Sequence, residues 1–153
     1  MIRIRKTVAS DINTIQSIKS FLSPEIIEER LARQKKDEAE FLLLEKDGEI
    51  VSFVLLKWGG KPTHPEYPDM EDLYTKETER RKGYGRILVS ECEKKAAQRG
   101  FNKIGLSVNP NLNPKAKKFY EKLGYKHDKG KEYLDGIYNG IEDWVIDLEK
   151  SLN

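Results

Sequence analysis

The sequence lacks several features that would mark particular classes of protein. Cysteine occurs once, at Cys92, so no internal disulfide can form and a disulfide-stapled secreted domain is excluded. No apolar run approaches the ~20 residues of a membrane-spanning helix. Residues 1–6 alternate charged and aliphatic side chains, whereas a signal peptide has a continuous apolar core. These absences favour a cytoplasmic protein with no membrane partner.

The chain also has little excess of either charge. Its formal net charge is +2, which is too small to indicate a nucleic-acid partner. His64 and His127 are far apart and have no Cys/His cluster near them, so the sequence predicts no metal cofactor. Basic residues are nevertheless crowded between Arg80 and Lys103, and this crowding indicates a local site for a small polyanion.

What the sequence does contain is the periodicity of one mixed α/β domain over residues 1–153. The element order is predicted as β-α-α-β-β-β-α-β-α-β-β, a mixed sheet of about seven strands flanked by about four helices. The predicted elements are a strand (1–6), a helix from Ser10 and Asp11 to Leu22, a helix from Pro24 ending within 34–38, a hairpin (41–44 and 50–56), a loop (59–68), a strand (70–75), a helix (85–99), a strand (104–108), a helix that starts at Asn113 and Pro114 and ends at Leu123, and a final strand (144–148). Turns are expected at Asp135-Gly136 and Asn139-Gly140 before that last strand.

The segment from Arg80 to Arg86, Arg-Arg-Lys-Gly-Tyr-Gly-Arg, lies between a predicted strand and a predicted helix. Gly83 and Gly85 allow a ligand to approach the backbone closely, and the first N–H groups of the helix have no partner. Four cations at a helix start oppose the helix dipole, so an anion such as a pyrophosphate is favoured over a plain basic turn. Leu88 stands where a dinucleotide fingerprint needs its third glycine, and the P-loop pattern is absent.

Two motifs resemble those of the GNAT superfamily of N-acetyltransferases. Arg80-x-x-Gly83-x-Gly85 is similar to the family's acyl-CoA pyrophosphate signature, and Asn113-x-x-Ala116 followed by Phe119 to Tyr125 is similar to its closing segment. The two occur in the family's order, separated by one helix and one strand. The resemblance implies a GNAT-like fold and acetyl-CoA as the acetyl donor.

The resemblance also implies which residues hold acetyl-CoA. The backbone of Leu73, Tyr74 and Thr75 would pair with the pantetheine arm. Asn113 would contact the pantetheine or phosphate region, Tyr120 would lie beside the sulfur, and Lys115 or Lys118 would reach the 3'-phosphate. The pyrophosphate would be held by the Arg80 side chain and by the backbone of Arg81, Lys82, Gly83, Tyr84, Gly85 and Arg86. Thr75, Glu77 and one extra residue before Asn113 depart from the family pattern.

The chemistry requires a base, because an alkyl amine with a pKa of ~10.4 is protonated at neutral pH. Glu71 and Asp69 alternate on the strand that leads to Leu73 and are the candidates, with Glu71 favoured; Asp72 would point away unless a bulge shifts the register. Tyr120 is expected to protonate the departing thiolate, and the N–H of Leu73 to polarise the carbonyl. Solvated acids, a core Tyr120 and a simple N-cap at Asn113 are the structural alternatives.

The acceptor is expected to be a small-molecule primary amine, attacked directly in a ternary complex. A flexible loop at 59–68 would close over it, and a partly aromatic, partly acidic mouth would suit a cation. That mouth would be built from Trp58, His64, Glu66, Tyr67, Glu132, Tyr133, Asp135 and Tyr138. A protein amine as acceptor, and a non-catalytic acetyl-CoA sensor, remain alternatives. The resemblance also suggests a homodimer through an exposed edge of the C-terminal strand.

Overall fold

A computed structural model describes residues 1–153 as one eight-stranded sheet with helices on both faces. The strands are β1 (Ile2–Lys6), β2 (Ala39–Lys46), β3 (Glu49–Lys57), β4 (Asp69–Thr75), β5 (Lys103–Val108), β6 (Lys126–His127), β7 (Tyr133–Tyr138) and β8 (Ile141–Ser151). The helices are α1 (Ile12–Ile18), α2 (Pro24–Lys35), α3 (Tyr84–Gln98) and α4 (Pro114–Lys122). Short 3₁₀ turns occupy Ala9–Asp11 and Glu77–Glu79.

The strands follow the order β1-β2-β3-β4-β5-β8-β6, and β7 pairs with β8 beside β6. Every pairing is antiparallel except that of β4 with β5. The predicted α/β fold and its mixed sheet are confirmed. The expected count of about seven strands is one short because β6 has only two residues and carries no strand pattern of its own.

The sheet is buried on both faces, which explains the nearly unbroken apolar run of β2. Leu42 and Leu44 face a large core built with α3 and α4, whereas Phe41 and Leu43 face a smaller core under α1 and α2. A strand covered on both sides gains from apolar residues at every position. Cys92 is fully buried in the larger core, where its side chain packs.

Two local predictions are wrong. The first helix ends at Ile18, because Lys19 is extended and the chain turns there, which leaves Leu22 in the smaller core outside any helix. Asp135-Gly136 is not a turn but a register shift inside β7, and only Asn139-Gly140 forms the hairpin turn.

The C-terminal strand also lacks the open edge expected for a dimer. β8 pairs with β5 along one side and with β6 and β7 along the other, so β7 forms the outer edge instead.

Candidate active site

The site begins at a bulge in β4. Leu55 of β3 pairs with Glu71, but Phe53 pairs with Tyr74, so β4 has one residue more than its partner across this interval. Asp72 occupies the bulge with a positive φ of 57°. A bulge bends its strand and increases the local twist. The sequence left open that a bulge shifts the register at Asp72, and this bulge is present.

Beyond the bulge, β4 separates from β5. The two strands pair only at Asp69 with Gly105 and at Met70 with Leu106. The rest of β4 has backbone groups facing β5 without a ladder, so an extended ligand can pair there as an added strand. The fork opens into a cavity of about 880 Å³. Several predicted site residues line this cavity together: Asp69, Glu71, Leu73, Tyr74, Asn113 and Tyr120.

The phosphate loop lies at the far end of β4. None of the backbone N–H groups from Arg81 to Arg86 donates to an acceptor within the protein. Gly83 takes a φ of 88° at the N-cap of α3, a left-handed conformation that glycine adopts without strain. Unpaired N–H groups at a helix start form an anion site, so the residues present fit a pyrophosphate.

The side chains of the phosphate loop make different contacts. The Arg80 guanidinium donates through Nε to the Thr75 carbonyl at 3.0 Å and lies over the Tyr74 ring, 5.1 Å from its centroid. Lys82 pairs with Glu79 at 2.7 Å. Tyr84 is buried in the larger core, so only its backbone can face a ligand. The Arg80 side chain is thus held at the end of β4, next to the loop, as the sequence predicts for a phosphate contact.

Asn113 begins α4. Its amide oxygen accepts from the Ala116 N–H at 3.2 Å, so the N-cap role is confirmed and the amide nitrogen is left for other contacts. The extra residue before Asn113 fits in a turn closed by Asn109, whose side chain accepts from the N–H groups of Asn111 and Leu112. Lys115 is exposed in the first turn of α4.

The two candidate bases have different surroundings. Asp69 is 2% exposed; His64 Nε2 lies 3.1 Å from its Oδ1 and Lys57 Nζ lies 3.6 Å from its Oδ2. Burial raises the pKa of Asp69 above its ordinary value despite those partners. The Glu71 side chain is 44% exposed and pairs with Lys57 at 3.1 Å. Asp69 is thus the more buried of the two carboxylates, and its burial favours the protonated form.

Tyr120 both lines the cavity and packs in the core. Its ring meets Phe119 and Tyr125 edge to face, with centroids 5.0 and 5.7 Å away, and its hydroxyl has no partner in the protein. Burial raises the pKa of Tyr120, and the carboxylates of Asp69 and Asp72 add to the effect. The phenol therefore stays protonated at neutral pH and faces the cavity as a donor.

The expected acceptor mouth is partly wrong. Asp135 and Tyr138 line the cavity, but Trp58, His64 and Tyr67 are buried. The other three expected residues, Glu66, Glu132 and Tyr133, do not line it either. Of the loop before β4 only Lys61 reaches the cavity, so the loop is an anchored wall and not a lid.

Sequence reasoning missed a buried ion cluster on the opposite wall. Asp72 pairs with Lys19 and, at 3.1 Å, with Arg30 of α2. Lys19 and Arg30 are far from Asp72 in the sequence, so no local sequence pattern indicates that they pair with it. No helix is long and apolar enough to cross a membrane, and no group of three or more His, Cys, Asp or Glu side chains is arranged to hold a metal.

Comparison with known proteins identifies the family of this chain and structures of the same fold. Residues 10–125 match the model of the acetyltransferase (GNAT) family, while no curated protein sequence matches. A phosphinothricin acetyltransferase from Sinorhizobium meliloti in complex with acetyl-CoA is 16% identical, with a TM-score of 0.79 over 99% of this chain and 89% of that one.

Two further solved structures have the same fold. A chimeric spermidine N-acetyltransferase from Vibrio cholerae is 17% identical, with a TM-score of 0.79 over 99% of this chain and 95% of that one. A ribosomal-protein-alanine N-acetyltransferase from Brucella melitensis is 16% identical, with a TM-score of 0.80 over 98% of this chain and 99% of that one. The chain therefore belongs to the GNAT family of acetyltransferases, and acetyl-CoA is its acetyl donor.

Proposed function

We propose that the enzyme acetylates a primary amine of a small cationic molecule by direct attack in a ternary complex. The observation that carries the proposal is that a buried acid, Asp69, and a buried phenol, Tyr120, line one cavity where β4 and β5 part. A base and an acid on either side of a reacting centre are what aminolysis of a thioester requires. Bound acetyl-CoA supplies an activated acetyl group at this position.

Asp69 is favoured over Glu71 as the base. A general base works best when its pKa approaches the operating pH, and burial moves the pKa of Asp69 upward. Asp69 accepts a proton from the ammonium group of the acceptor, directly or through one water, and so frees the nitrogen lone pair. Glu71, which is more exposed, is better suited to attracting the cation.

Tyr120 completes the reaction. As the carbon–nitrogen bond forms and the carbon–sulfur bond breaks, the Tyr120 hydroxyl donates its proton to the departing sulfur, and the second proton that the attacking nitrogen loses returns to the Tyr120 oxygen through water. The N–H of Leu73, on the unpaired side of β4, is the candidate to stabilise charge on the carbonyl oxygen.

The acceptor class follows from the cavity walls. Glu71, Asp135 and Asp143 place carboxylates on the walls, Glu71 paired with Lys57 and Asp135 with Lys61, and the ring of Tyr138 offers an aromatic face to a cation. The cavity of about 880 Å³ has to hold the acetyl end of acetyl-CoA as well, and the room that remains favours a small amine over a protein terminus. The neighbours in the fold are named for spermidine, phosphinothricin and the alanine of a ribosomal protein, so the fold alone does not choose between acceptor classes.

Thiol release from acetyl-CoA, measured with polyamines, aminoglycosides, amino acids and short peptides, tests the proposal. We expect Asp69→Asn to lower kcat about 10²–10⁴-fold and Tyr120→Phe about 10²-fold, without loss of acetyl-CoA affinity. Glu71→Gln should raise the acceptor KM, whereas Glu66→Gln, an exposed acid outside the cavity, should change nothing.

Two outcomes would contradict the proposal. Tight acetyl-CoA binding with no amine-dependent release would favour a sensor. Release only with peptides would indicate a protein acceptor.

A further inference from the structure

A histidine is buried directly behind the proposed base. His64 is 1% exposed and lies between two buried carboxylates, with Nε2 3.1 Å from Asp69 Oδ1 and Nδ1 3.4 Å from Asp147 Oδ2. Its ring stacks on Tyr67 with centroids 4.6 Å apart. Only Asp69 of these groups lines the cavity. The histidine is therefore in a position to act on the reaction through Asp69 alone.

Asp147, on the other side of His64 from Asp69, is held by three hydrogen bonds. Asp147 accepts from the hydroxyls of Thr63 at 2.6 Å, Ser107 at 2.9 Å and Tyr133 at 2.6 Å. These hydrogen bonds outweigh the burial of Asp147 and lower its pKa, so it stays ionised. An ionised Asp147 fixes the ring of His64 and favours its charged form.

We propose that His64 is a positioning residue of the acetyl transfer: as an imidazolium held between Asp69 and Asp147, it binds Oδ1 of Asp69 and keeps Oδ2 ionised and turned to the acceptor. The inference rests on the proposed function, because it assigns His64 a part only if Asp69 is the base. In the transfer the N–H bond of the ammonium breaks and an O–H bond forms at Oδ2. Both N–H bonds of His64 stay intact.

The charges around His64 favour its imidazolium form. Burial alone lowers the pKa of His64, but the hydrogen bonds and charges of Asp69 and Asp147 outweigh it and leave the pKa raised. Several polar side chains of the surrounding elements face His64 and Asp69. They are Lys57 of β3, Lys61 and Tyr67 of the loop, Ser107 of β5, Tyr133 of β7 and Glu149 of β8. The Glu149 carboxylate accepts a hydrogen bond from the Tyr67 hydroxyl. β5 also presents Gly105, where an added methyl would lie 3.5 Å from Nε2.

The pH profile of kcat/KM for the acceptor tests the inference. His64→Gln keeps a hydrogen-bond donor beside Asp69 but removes the positive charge, so the pKa of Asp69 should rise. We expect the acidic limb of the profile to move up by about one unit, which is about a tenfold loss below that limb, with the acetyl-CoA KM unchanged. His127→Gln, an exposed histidine far from the cavity, is the matched control.

The outcomes separate the two proposals. If Asp69→Asn keeps wild-type kcat, the assigned base is wrong and the role of His64 falls with it. If Asp69→Asn loses activity but His64→Gln keeps the wild-type profile, only the inference on His64 is wrong, even if the variant melts at a lower temperature.

NMR of the histidine rings in the intact protein gives a second reading that needs no change at His64. We expect the ring of His64 to remain an imidazolium above the ordinary histidine pKa of about 6.5, and its titration midpoint to fall in Asp69→Asn. A wild-type His64 ring that is already neutral at about pH 6.5 would overturn the inference.

Discussion

At the scale of single residues, Gly60 and Gly85 differ in whether a methyl group fits. Gly60 has a φ of 68°, and an added Cβ would lie 2.2 Å from the His64 carbonyl oxygen. We expect Gly60→Ala to destabilise the fold by about 2 kcal/mol or more. Gly85 lies in the first turn of α3, and an added Cβ would keep an ordinary 3.6 Å from Leu73 and Phe119, so Gly85→Ala should be neutral or stabilise by about 0.5–1 kcal/mol. Urea unfolding of both variants measures this; equal losses would contradict the steric argument.

A second residue-scale prediction decides between Lys115 and Lys118 as the partner of the 3'-phosphate. Both are exposed on α4, and an exposed ion pair contributes about 1 kcal/mol at most. The correct lysine, replaced by Ala, should weaken CoA binding about 3–5-fold in low salt and leave dephospho-CoA binding unchanged. Lys117→Ala, whose lysine pairs with Glu121 at 3.8 Å, is the control. Equal losses with both ligands would exclude a 3'-phosphate contact.

Which residues could be found from the sequence depended on whether their signal is local. The glycines at 83 and 85 and the N-cap at Asn113 lie in short motifs and were predicted in place. The sequence favoured Glu71 over Asp69 as the base and we propose the reverse, because the two differ in burial by His64 and the neighbouring strands, which leaves no local pattern. His64 itself has partners 5 and 83 residues away, and only the fold brings the farther one near.

At the scale of elements, the bulge of β4 depends on the ion cluster beside it. Asp72 compensates the charge of Arg30, whose side chain is 9% exposed. Asp72→Asn should cost about 3 kcal/mol or more, because a buried guanidinium then lacks a counter-charge. Asp72→Ala should cost about 1 kcal/mol beyond that, since Asn tolerates the positive φ of 57° better than Ala does. Glu71→Ala, next to it but exposed, should change stability by less than about 0.5 kcal/mol.

Chemical denaturation of the three variants is the measurement. A loss for Asp72→Asn no larger than that for Glu71→Ala would show that the cluster does not stabilise the bulge. In that case the separation of β4 from β5 would have to depend on the backbone alone.

Elements with clean periodicity or strong caps were predicted within a few residues, as for α2, which begins at Pro24 after the capping Ser23. The errors fall where a local signal has two meanings. Asp135-Gly136 reads as a turn, yet a glycine inside a strand also permits a register shift, and pairing with β8 selects the latter. Leu22 continues the helical spacing of α1 after the helix has ended, because the smaller core needs it from a turn.

At the scale of the whole molecule, the order of elements was enough to predict a mixed sheet, but the fork that makes the site was not predictable. The fork depends on pairing between β4 and β5 that stops after Met70, and strand register is a long-range property. The phosphate loop could be placed from sequence because it only needs a strand before it and a helix after it. The wall of the cavity that would contact the acceptor could not be placed from sequence, since it joins residues of β4, β7 and the loop before β4.

The stability of the whole molecule should depend on pH in an unusual direction near neutrality. The folded pKa values of His64 and Asp69 are raised above their unfolded values of about 6.5 and 3.9. Stability linked to a raised pKa is present below the unfolded pKa and is lost as pH rises through the folded one. Asp147 and Asp11 have lowered pKa values, so their contribution is present above about pH 4 and is lost below it.

We therefore expect the free energy of unfolding to be highest near about pH 4, to fall as the pH rises through the raised pKa of Asp69, and to fall again above about pH 6.5 as the pH rises through that of His64. Each unit by which folding raises the pKa of His64 contributes about 1.4 kcal/mol to that fall. Urea unfolding of the wild type across this range measures it, and His64→Gln should flatten the fall above about pH 6.5 while His127→Gln should not. A wild-type curve that rises up to about pH 6.5 and then stays level, with a rise that His64→Gln removes, would mean that the buried histidine folds as a neutral ring, because protonation then favours the unfolded chain.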